Sequence, residues 1–329
     1  MAIIAISDVH LGYMINEKEL ADTKKFIDFL GHLAKGDLVD KDHVTDFVIC
    51  GDFLDMWRRD MAGVVIENLH ILKMIQHLQP RKNPKGPEIN VHYLAGNHDY
   101  HIGHLKKYYY PFDFKKGIDP TKGFELPDKE SGKTYWFKHG YDCEPLMLEA
   151  KRRHVFDLLS CTSDEIGDFQ SLLWNIFSKI EAFGKFDIKA ILGCIADGDA
   201  IKIIESLFQL SNSLVSPEQK EPIKKLRKNI LKSFDERILL KGNRFKMSDY
   251  LKYLKENEPL VFGHTHKPFH YEKGNKKAIN LGSWIKDDSS QGERIHNTYL
   301  EIKDGQERLL VYLGENKKEE IPKTNVIPD

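Results

Sequence analysis

Five short segments spread along this chain of 329 residues each end a predicted strand with residues that can bind a metal ion. Each segment follows an apolar run, and several are followed by a small or turn-forming residue. Together they supply two carboxylates, one amide and four imidazoles, which is a ligand set for two divalent cations held side by side. The segments are Asp8-Val9-His10, Gly51-Asp52, Gly96-Asn97-His98-Asp99, His139-Gly140 and Gly263-His264-Thr265-His266.

The residue types in these segments fit a site in which two cations act together. Such ions lie about 3.5–4 Å apart, so that both can polarise a phosphoryl group and activate a shared water. A bridging carboxylate offsets their mutual repulsion, and Asp52 is the natural candidate. Asp8 and His10 are two residues apart, as are His264 and His266, and in strand geometry such side chains share a face. Mixed nitrogen and oxygen ligands suit Mn, Fe, Zn or Co better than Mg or Ca.

The order of these segments, Asp-x-His, Gly-Asp, Gly-Asn-His-Asp, His-Gly and Gly-His-Thr-His, resembles that of the calcineurin-like metallophosphoesterase superfamily. No ligand of the pattern is missing from the sequence. Flanking residues are similar to the branch that contains the UDP-2,3-diacylglucosamine hydrolases, although the helical insertion described below is longer than we expect of that enzyme. The flanking matches are residues 7–12, residues 51–57, Pro268 and residues 280–284.

The resemblance implies a fold and a role for each metal-binding residue. The fold would be an α/β, four-layer α-β-β-α sandwich of two packed mixed sheets flanked by helices, with an inserted helical cap. Asp52 would bridge the two ions. The first ion would be bound by Asp8, His10 and His266, and the second by Asn97, His139 and His264.

The same resemblance implies two catalytic residues and a mechanism. His98 would not bind metal; it would protonate the leaving oxygen or stabilise charge on the phosphoryl group. Asp99 would hold the ring of His98 in one orientation. The attacking species would be a hydroxide between the metals, whose pKa they lower, and no covalent enzyme intermediate would form.

Several polar residues close to these segments have two interpretations. Asp55 either steadies the site from behind the ligands or caps the following helix. Arg58 and Arg59 could clamp a phosphate through paired hydrogen bonds, but an ordinary surface position explains them at least as well. His101 and His104 could contact substrate, although solvated loop histidines are more common.

Composition argues against several classes of protein. With 49 basic and 50 acidic residues the formal net charge is −1, so the chain lacks the basic excess of a dedicated nucleic-acid binder. Its four cysteines form no C-x-x-C pair, and so few in a chain of this length fit a reducing cytosol. There is no apolar run of about 18 residues, as a transmembrane helix would need. The apolar start, residues 1–6, is too short for a signal peptide, and we expect a cytoplasmic protein.

The sequence divides into a core in two parts, an insertion and a tail. In the first part, residues 1–144, strands alternate with helices, and a helix over residues 17–35 begins at a capping box formed by Asn16 and Glu19. The second part, residues 258–315, consists of short strands, and a loosely ordered tail, residues 316–329, follows. Predicted strands cover residues 2–6, 47–50, 91–95, 124–126, 134–138, 260–262, 269–272, 278–281, 298–302 and 308–312, and a second helix covers residues 62–78.

Residues 145–257 are predicted to form a helical cap. Apolar residues repeat there at three- and four-residue spacing, so each helix buries one face. Packing of these helices on one another is the ordinary explanation. A hydrophobic substrate channel, a dimer interface and contact with a membrane surface are alternatives, with Trp174, Phe177 and Phe183 as candidates for an exposed surface. Both ends of the insertion adjoin metal ligands, so we expect the cap to lie over the site and to limit substrate size.

These inferences predict a cytoplasmic enzyme that depends on two divalent metal ions, with Mn first and Fe, Zn or Co as alternatives. It would hydrolyse a phosphodiester, a phosphomonoester or a pyrophosphate. One alternative is a pyrophosphatase acting on an amphiphile that resembles a UDP-sugar lipid, with peripheral membrane contact through the cap. A nuclease and a non-catalytic interaction scaffold are further alternatives, and the oligomeric state stays open.

Overall fold

The computed structural model describes residues 1–15, 18–39, 43–56, 61–79, 88–96, 98–99, 123–140, 254–286 and 295–326. Most of the predicted cap, residues 145–253, lies outside these ranges. At its described end, Lys255 and Glu258 form an isolated β-bridge around a turn in which Asn257 has a φ of 64°. The chain therefore enters the next strand from a turn rather than from a helix. Within the described ranges, no helix is long and apolar enough to cross a membrane.

Fourteen strands and three helices lie in the described ranges. The strands are β1 Ala2–Ile6, β2 Met14–Ile15, β3 Lys18–Glu19, β4 Val44–Cys50, β5 Asn90–Leu94, β6 Phe124–Pro127, β7 Thr134–Lys138, β8 Leu260–Phe262, β9 Phe269–Lys273, β10 Lys276–Asn280, β11 Thr298–Lys303, β12 Gln306–Gly314, β13 Lys317–Glu320 and β14 Lys323–Thr324. The helices are α1 Thr23–Lys35, α2 Met61–Glu67 and α3 Leu69–His77.

Twelve of the strands form two mixed sheets of six strands each, and β2 and β3 pair separately. The first sheet has the order β13-β12-β11-β1-β4-β5, with β1, β4 and β5 parallel and β11 antiparallel to β1. The second has the order β14-β9-β10-β8-β7-β6, with β7, β8 and β10 parallel. The chain crosses between the sheets after β5, and β11 brings it back beside β1. The predicted pair of mixed sheets is confirmed.

Alternation along the strands of the first sheet gives it two apolar faces. On one face, Ile4 and Ile6 belong to a core cluster with Phe26 and Phe29 of α1. On the other face, alternate residues such as Val48 lie in a second cluster with residues of β7, β8 and β10 in the second sheet. Because side chains on a strand alternate between faces, the first sheet packs on helices on one side and on the second sheet on the other. The predicted α/β sandwich is therefore confirmed.

Helix α1 begins six residues later than the sequence predicted. The predicted capping box is wrong, because Glu19 lies in β3, which pairs with β2. Leu20 is buried, as its place on the predicted apolar face required, but it precedes the helix and donates its N–H to the carbonyl of Tyr13 at 3.0 Å. Asp22 occupies the N-cap position, and its carboxylate accepts a hydrogen bond from Asn297 instead of capping the helix. The helix ends at Gly36, whose φ of 74° suits glycine.

The predicted helix over residues 62–78 is divided, and the predicted loose tail contains strands. Asn68 separates α2 from α3, and its side chain donates to the carbonyl of Val64 at 2.9 Å. Beyond Asn316, β13 pairs with β12 and β14 pairs with β9, and Ile321 between them is buried. The charged composition of this region indicated loose order, whereas alternate charged residues here lie on the outer edge of a sheet.

Candidate metal centre

Two pairs of hydrogen-bonded loops carry the candidate ligands. The N–H groups of Asp8 and His10 donate to the carbonyls of Gly51 and Asp52 at 3.1 and 2.9 Å, so the loop after β1 runs beside the loop after β4. Gly263, after β8, likewise donates to the carbonyl of His139, after β7, at 3.0 Å. Each contact continues a parallel strand pair past its end. The ligands therefore lie at the carboxyl ends of parallel strands, where open α/β sheets bind ligands.

Left-handed backbone, rather than strand geometry, points these side chains inward. Five candidate ligands have positive φ values, a conformation that costs a non-glycine residue about 1–3 kcal/mol and clusters at functional sites. The predicted strand alternation is therefore wrong: ligands two residues apart converge because their backbone is left-handed. The residues are Asp8 at 54°, His10 at 52°, Asp52 at 49°, His264 at 70° and His266 at 57°.

One group of ligand atoms comes from both ends of the sequence. Nε2 of His266 lies 3.2 Å from Oδ1 of Asp8 and 3.2 Å from Nε2 of His10. Nε2 of His10 lies 3.7 Å from the same oxygen of Asp8. All three residues can direct one ligand atom to within 4.8 Å of the others. These are the residues that the resemblance assigned to the first metal.

A second group contains Asp52, His139 and His264, again with ligand atoms within 4.8 Å of one another. Oδ2 of Asp52 is 3.3 Å from Nε2 of His139 and 3.7 Å from Nε2 of His10. Asp52 also forms a group with His10 and His98. Its carboxylate thus lies between the two sets of histidines, in the position that a bridging ligand requires.

Hydrogen bonds fix which atom of each side chain faces the site. Oδ2 of Asp8 accepts the N–H of His264, and Oδ1 of Asp52 accepts the N–H of His98, both at 2.8 Å. One oxygen of each carboxylate is left to face the histidines. Nδ1 of His139 lies 2.8 Å from the carbonyl of Cys50, which as the acceptor favours a hydrogen on Nδ1 and leaves Nε2 facing Asp52. Cys50 is buried at the end of β4, and no sequence pattern indicates that its carbonyl orients a ligand.

Two glycines allow the loops to approach this closely. A Cβ on Gly51, which has a φ of 90°, would lie 2.3 Å from Nδ1 of His139. A Cβ on Gly263 would lie 1.9 Å from Oγ of Ser7 and 2.3 Å from Oδ2 of Asp8. Any side chain at either position would push ligands apart, which explains the glycines before Asp52 and His264.

The charges at the site are strongly coupled. Burial by itself would raise the pKa of Asp52, but His139 and His98 hold it well below its usual range. Burial would lower the pKa of His139, whereas Asp52 raises it to about 9. Burial would also lower the pKa of His10, but the carboxylates of Asp55 and Asp8, 3.5 and 3.7 Å from its ring nitrogens, raise it to about 10. The carboxylates thus favour positive charge among the imidazoles, which a bound cation could supply.

The donor set fits divalent cations. Oδ1 of Asp8 is buried and makes no hydrogen bond, although Nε2 of His266 lies 3.2 Å away. Lone pairs of oxygen and nitrogen thus face one another with too few hydrogen atoms to pair them all. A bound cation would remove the repulsion between these lone pairs. Imidazole and carboxylate ligands together suit Mn, Fe, Zn or Co.

The carboxylate close to Nδ1 of His98 belongs to Asp55, whereas the sequence predicted that Asp99 would hold this ring. Both oxygens of the buried Asp99 accept hydrogen bonds elsewhere: Oδ1 from the N–H of Gly96 at 2.6 Å, and Oδ2 from the N–H of Phe53 at 2.7 Å and from the hydroxyl of Tyr93. These hydrogen bonds make Asp99 a structural anchor between the loop after β4 and the loop after β5. Burial and the charge of Asp52 raise its pKa.

Asp55 holds the histidines instead. Its Oδ1 is 3.4 Å from Nδ1 of His98, and its Oδ2 is 3.5 Å from Nδ1 of His10. Between the two interpretations of Asp55, these contacts favour a role behind the ligands over a helix cap. Asn97, Arg58, Arg59, His101 and His104 lie outside the described residues.

Comparisons with known proteins identify a family for the chain. A family model described as calcineurin-like phosphoesterase matches residues 1–268. No curated protein sequence matches the chain. Solved structures with some likeness include Yfce, a phosphoesterase from E. coli, with 12% identity over 98% of both chains and a TM-score of 0.40. A single mutant of Vps29 from Entamoeba histolytica has 12% identity over 98% of both chains and a TM-score of 0.35. These scores are too low for the structural likenesses to support a functional argument.

Proposed function

Because the chain belongs to the calcineurin-like phosphoesterase family, we propose that it is a hydrolase of phosphate esters that uses two divalent cations at the candidate metal centre. The sharing of ligands between neighbouring groups carries this proposal. Asp52 belongs to one group with His139 and His264 and to another with His10 and His98. A carboxylate with one free oxygen between two histidine sets is what two adjacent cations need to offset their repulsion.

Each side chain has a separate role in this proposal. Asp52 would be the ligand that both cations share. When bound, the two cations would polarise the phosphoryl group and lower the pKa of the attacking water. Asp8, His10 and His266 would hold the first cation, and His139 and His264 would hold the second, together with Asn97 as the resemblance implies.

His98 is the proposed proton donor to the leaving oxygen. Its side chain is 13% exposed, and its Nε2 is 4.0 Å from Oδ2 of Asp52, so the ring borders the site and is open on one side. Asp55 at Nδ1 favours the imidazolium, the form that can donate from Nε2. Burial lowers the pKa of His98 by more than Asp52 and Asp55 raise it. The imidazolium of His98 would therefore be a stronger acid towards a departing oxygen, and only the protonated fraction of His98 could donate.

The proposed reaction is direct attack of water on phosphorus, with the ester oxygen leaving as an alcohol or a phosphate. In this single displacement the phosphorus–oxygen bond to water forms as the bond to the ester oxygen breaks, so no covalent enzyme intermediate is needed. A phosphodiester, a phosphomonoester and a pyrophosphate all remain within the proposal. Manganese is the first cation to test, because the ligand set combines nitrogen and oxygen.

The test is hydrolysis of bis-p-nitrophenyl phosphate and of p-nitrophenyl phosphate by purified protein, with Mn²⁺ or with a chelator. We expect turnover that needs Mn²⁺ and that is lost in Asp52→Asn. The ratio of the two rates separates diesterase from monoesterase. A protein that binds two cations but cleaves neither compound is then given a lipid-linked UDP-sugar pyrophosphate and single-stranded DNA. Failure with all four compounds would contradict the proposal and favour the scaffold alternative.

A further inference from the structure

A short segment that begins with the last residue of β10 connects the two loops that supply ligands to the proposed first cation. The segment, residues 280–284, contacts the His264–His266 loop at its start and the Asp8–His10 loop at its end. His264 and Asp8 are in contact through the N–H of His264, although they are 256 positions apart in sequence. Something other than chain continuity must therefore hold them in register.

Asn280 makes the first connection. Its side chain is 0% exposed, and its Nδ2 donates to the carbonyl of Gly263 at 2.9 Å and to Oγ1 of Thr265 at 3.0 Å. Its Oδ1 accepts the N–H of Gly282 at 2.9 Å. Both amide hydrogens thus go to the loop that contains His264 and His266, on either side of His264. A buried amide with all its donors used fixes a loop in one position.

Trp284 makes the second connection. Its backbone N–H donates to the carbonyl of Asp8 at 3.0 Å, and its indole N–H donates to the carbonyl of Thr298 at 3.0 Å. Its ring is fully buried against Phe26 and Phe29 of α1, with centroid distances of 5.0 and 5.1 Å. This end of the segment is therefore anchored in the core, so it can serve as a fixed reference for the ligand loops.

We propose that Asn280 is a positioning residue that holds the His264–His266 loop against the Asp8–His10 loop, so that ligands from both ends of the chain converge on one cation. The inference rests on the proposed two-metal site. The left-handed backbone of His264 and His266 makes the loop strained, and a strained conformation persists only where its surroundings hold it. Asn280 supplies that restraint directly on both sides of His264.

The test compares Mn²⁺ binding by Asn280→Ala and Asn68→Ala, measured by calorimetry and by the electron paramagnetic resonance signal of a spin-coupled Mn²⁺ pair. Asn68 is the matched control, because it is also a buried amide that donates to a backbone carbonyl, at 2.9 Å, but it lies between α2 and α3. We expect Asn280→Ala to bind Mn²⁺ about 10- to 100-fold more weakly and to lose the coupled signal, as with other residues that orient ligands. Asn68→Ala should bind like the wild type.

A second pair of variants covers the case in which Asn280→Ala does not fold. Thr265→Val removes the hydroxyl that Asn280 contacts, and Thr265→Ser keeps it. We expect the valine variant to bind Mn²⁺ at least about tenfold more weakly and the serine variant to recover most of that loss. Equal affinity in the valine and serine variants would overturn the inference, as would wild-type affinity and coupling in a folded Asn280→Ala.

These measurements separate the inference from the proposed function. If the wild type binds two cations but hydrolyses no phosphate ester, the proposed function fails, and Asn280 is still judged by cation affinity. If the wild type gives no coupled pair at any Mn²⁺ concentration, the inference is overturned together with the metal site.

Discussion

Two clusters of buried charge lie at opposite ends of the first sheet, and they meet the cost of burial in different ways. The metal centre follows the end of β1. The second cluster is level with the start of β1, because Ile3 pairs with Ile302 and Ile302 pairs with Glu307. Glu307 is 2% exposed, yet Nζ of Lys277 is 3.1 Å from its Oε2, and Lys133 contacts its Oε1. We call this the ionic cluster; it comprises Glu307, Lys133, Lys277, Tyr135, Glu272 and Lys323.

The comparison shows how burial can serve either stability or function. In the ionic cluster, ammonium groups of the chain itself neutralise the buried acid, and its contacts join β12 of one sheet to β10 of the other. At the metal centre, Asp8 and Asp52 face imidazoles, and a buried oxygen makes no hydrogen bond. A buried charge is tolerated only when it is paired or binds a metal. We therefore expect the ionic cluster to control folding and the metal centre to control activity.

The largest effect should come from Asp52→Asn. Asparagine has the same shape and can still accept the N–H of His98 through its oxygen, but it removes the charge between the two histidine sets. We expect Mn²⁺-dependent turnover to fall by about a thousandfold or more, since loss of a bridging charge removes several kcal/mol of transition-state stabilisation. In the metal-free protein, the midpoint of chemical denaturation should change little above about pH 10, where His139 and His10 are neutral and no ion pair with Asp52 is lost. A large loss of stability with activity retained would reverse the comparison.

Glu307→Gln should have the opposite effect. Two ammonium groups next to the position would lose their buried counter-charge, and breaking a buried pair costs about 3–5 kcal/mol. We expect the free energy of unfolding at pH 7, measured with urea, to fall by about 3 kcal/mol, while turnover per folded molecule stays the same. Glu315→Gln is the matched control, because Glu315 is 85% exposed and lies 3.2 Å from Lys317. That surface variant should change stability by less than about 0.5 kcal/mol.

The ionic cluster should also make the free energy of unfolding depend on pH in the acid range. Burial would raise the pKa of Glu307, but Lys133 and Lys277 lower it from 4.5 to about 2. The folded protein thus binds this proton less readily than the unfolded chain does, so stabilisation is complete above about pH 4.5 and is lost as the pH falls towards 2. Glu307→Gln should make unfolding free energy less dependent on pH across this window. Parallel pH curves for wild type and variant would show that Glu307 is not the group responsible.

Asp55 and Asp99 allow a smaller test within the metal centre itself. Asp55→Asn should reduce turnover or Mn²⁺ affinity by about 10- to 100-fold, because Asp55 orients His98 and His10. Asp99→Asn places an amide donor among the donors of Gly96, Phe53 and Tyr93, and we expect it to lower stability by about 1–3 kcal/mol. Measurements of turnover and of chemical denaturation on both variants decide which of the two carboxylates orients His98. If Asp99→Asn shifts the pH profile of turnover and Asp55→Asn does not, the result would support the sequence-based prediction that Asp99 holds the ring of His98.

The sequence predicted the strands well and the polar contacts poorly. Apolar runs such as those of β1 and β8 are local patterns, so their positions followed directly from the sequence. The start of α1 did not, because Leu20 fits an apolar helix face equally well when it packs from a loop. Asp55 and Asp99 are both acids near a ligand, and only the distant partners Tyr93 and Phe53 show that Asp99 is otherwise engaged.

The ionic cluster was beyond the reach of sequence patterns altogether. Lys133 and Glu307 are 174 positions apart, and a lysine or glutamate at the end of a strand normally indicates a solvated residue. The metal ligands are just as distant from one another, but they could be predicted because their residue types occur together in a recognisable order. Glu307 belongs to no recognisable sequence motif, so its burial can be inferred only from the structure, in which both sheets surround it.

The smallest effect separates the cations of the ionic cluster. Lys323 on β14 is 44% exposed, and its Nζ is 3.8 Å from Oε2 of Glu307, whereas Lys277 is 19% exposed and 3.1 Å away. Solvent screens the more exposed pair, so Lys323→Gln should lower the free energy of unfolding by less than about 1 kcal/mol, and Lys277→Gln should lower it by more. Urea denaturation at low and high salt measures both, and the Lys323 effect should shrink further as salt is added. Equal losses in the two variants would mean that β14 contributes to the cluster as strongly as the central strands, so that the C-terminal strand would belong to the stabilising core rather than to its edge.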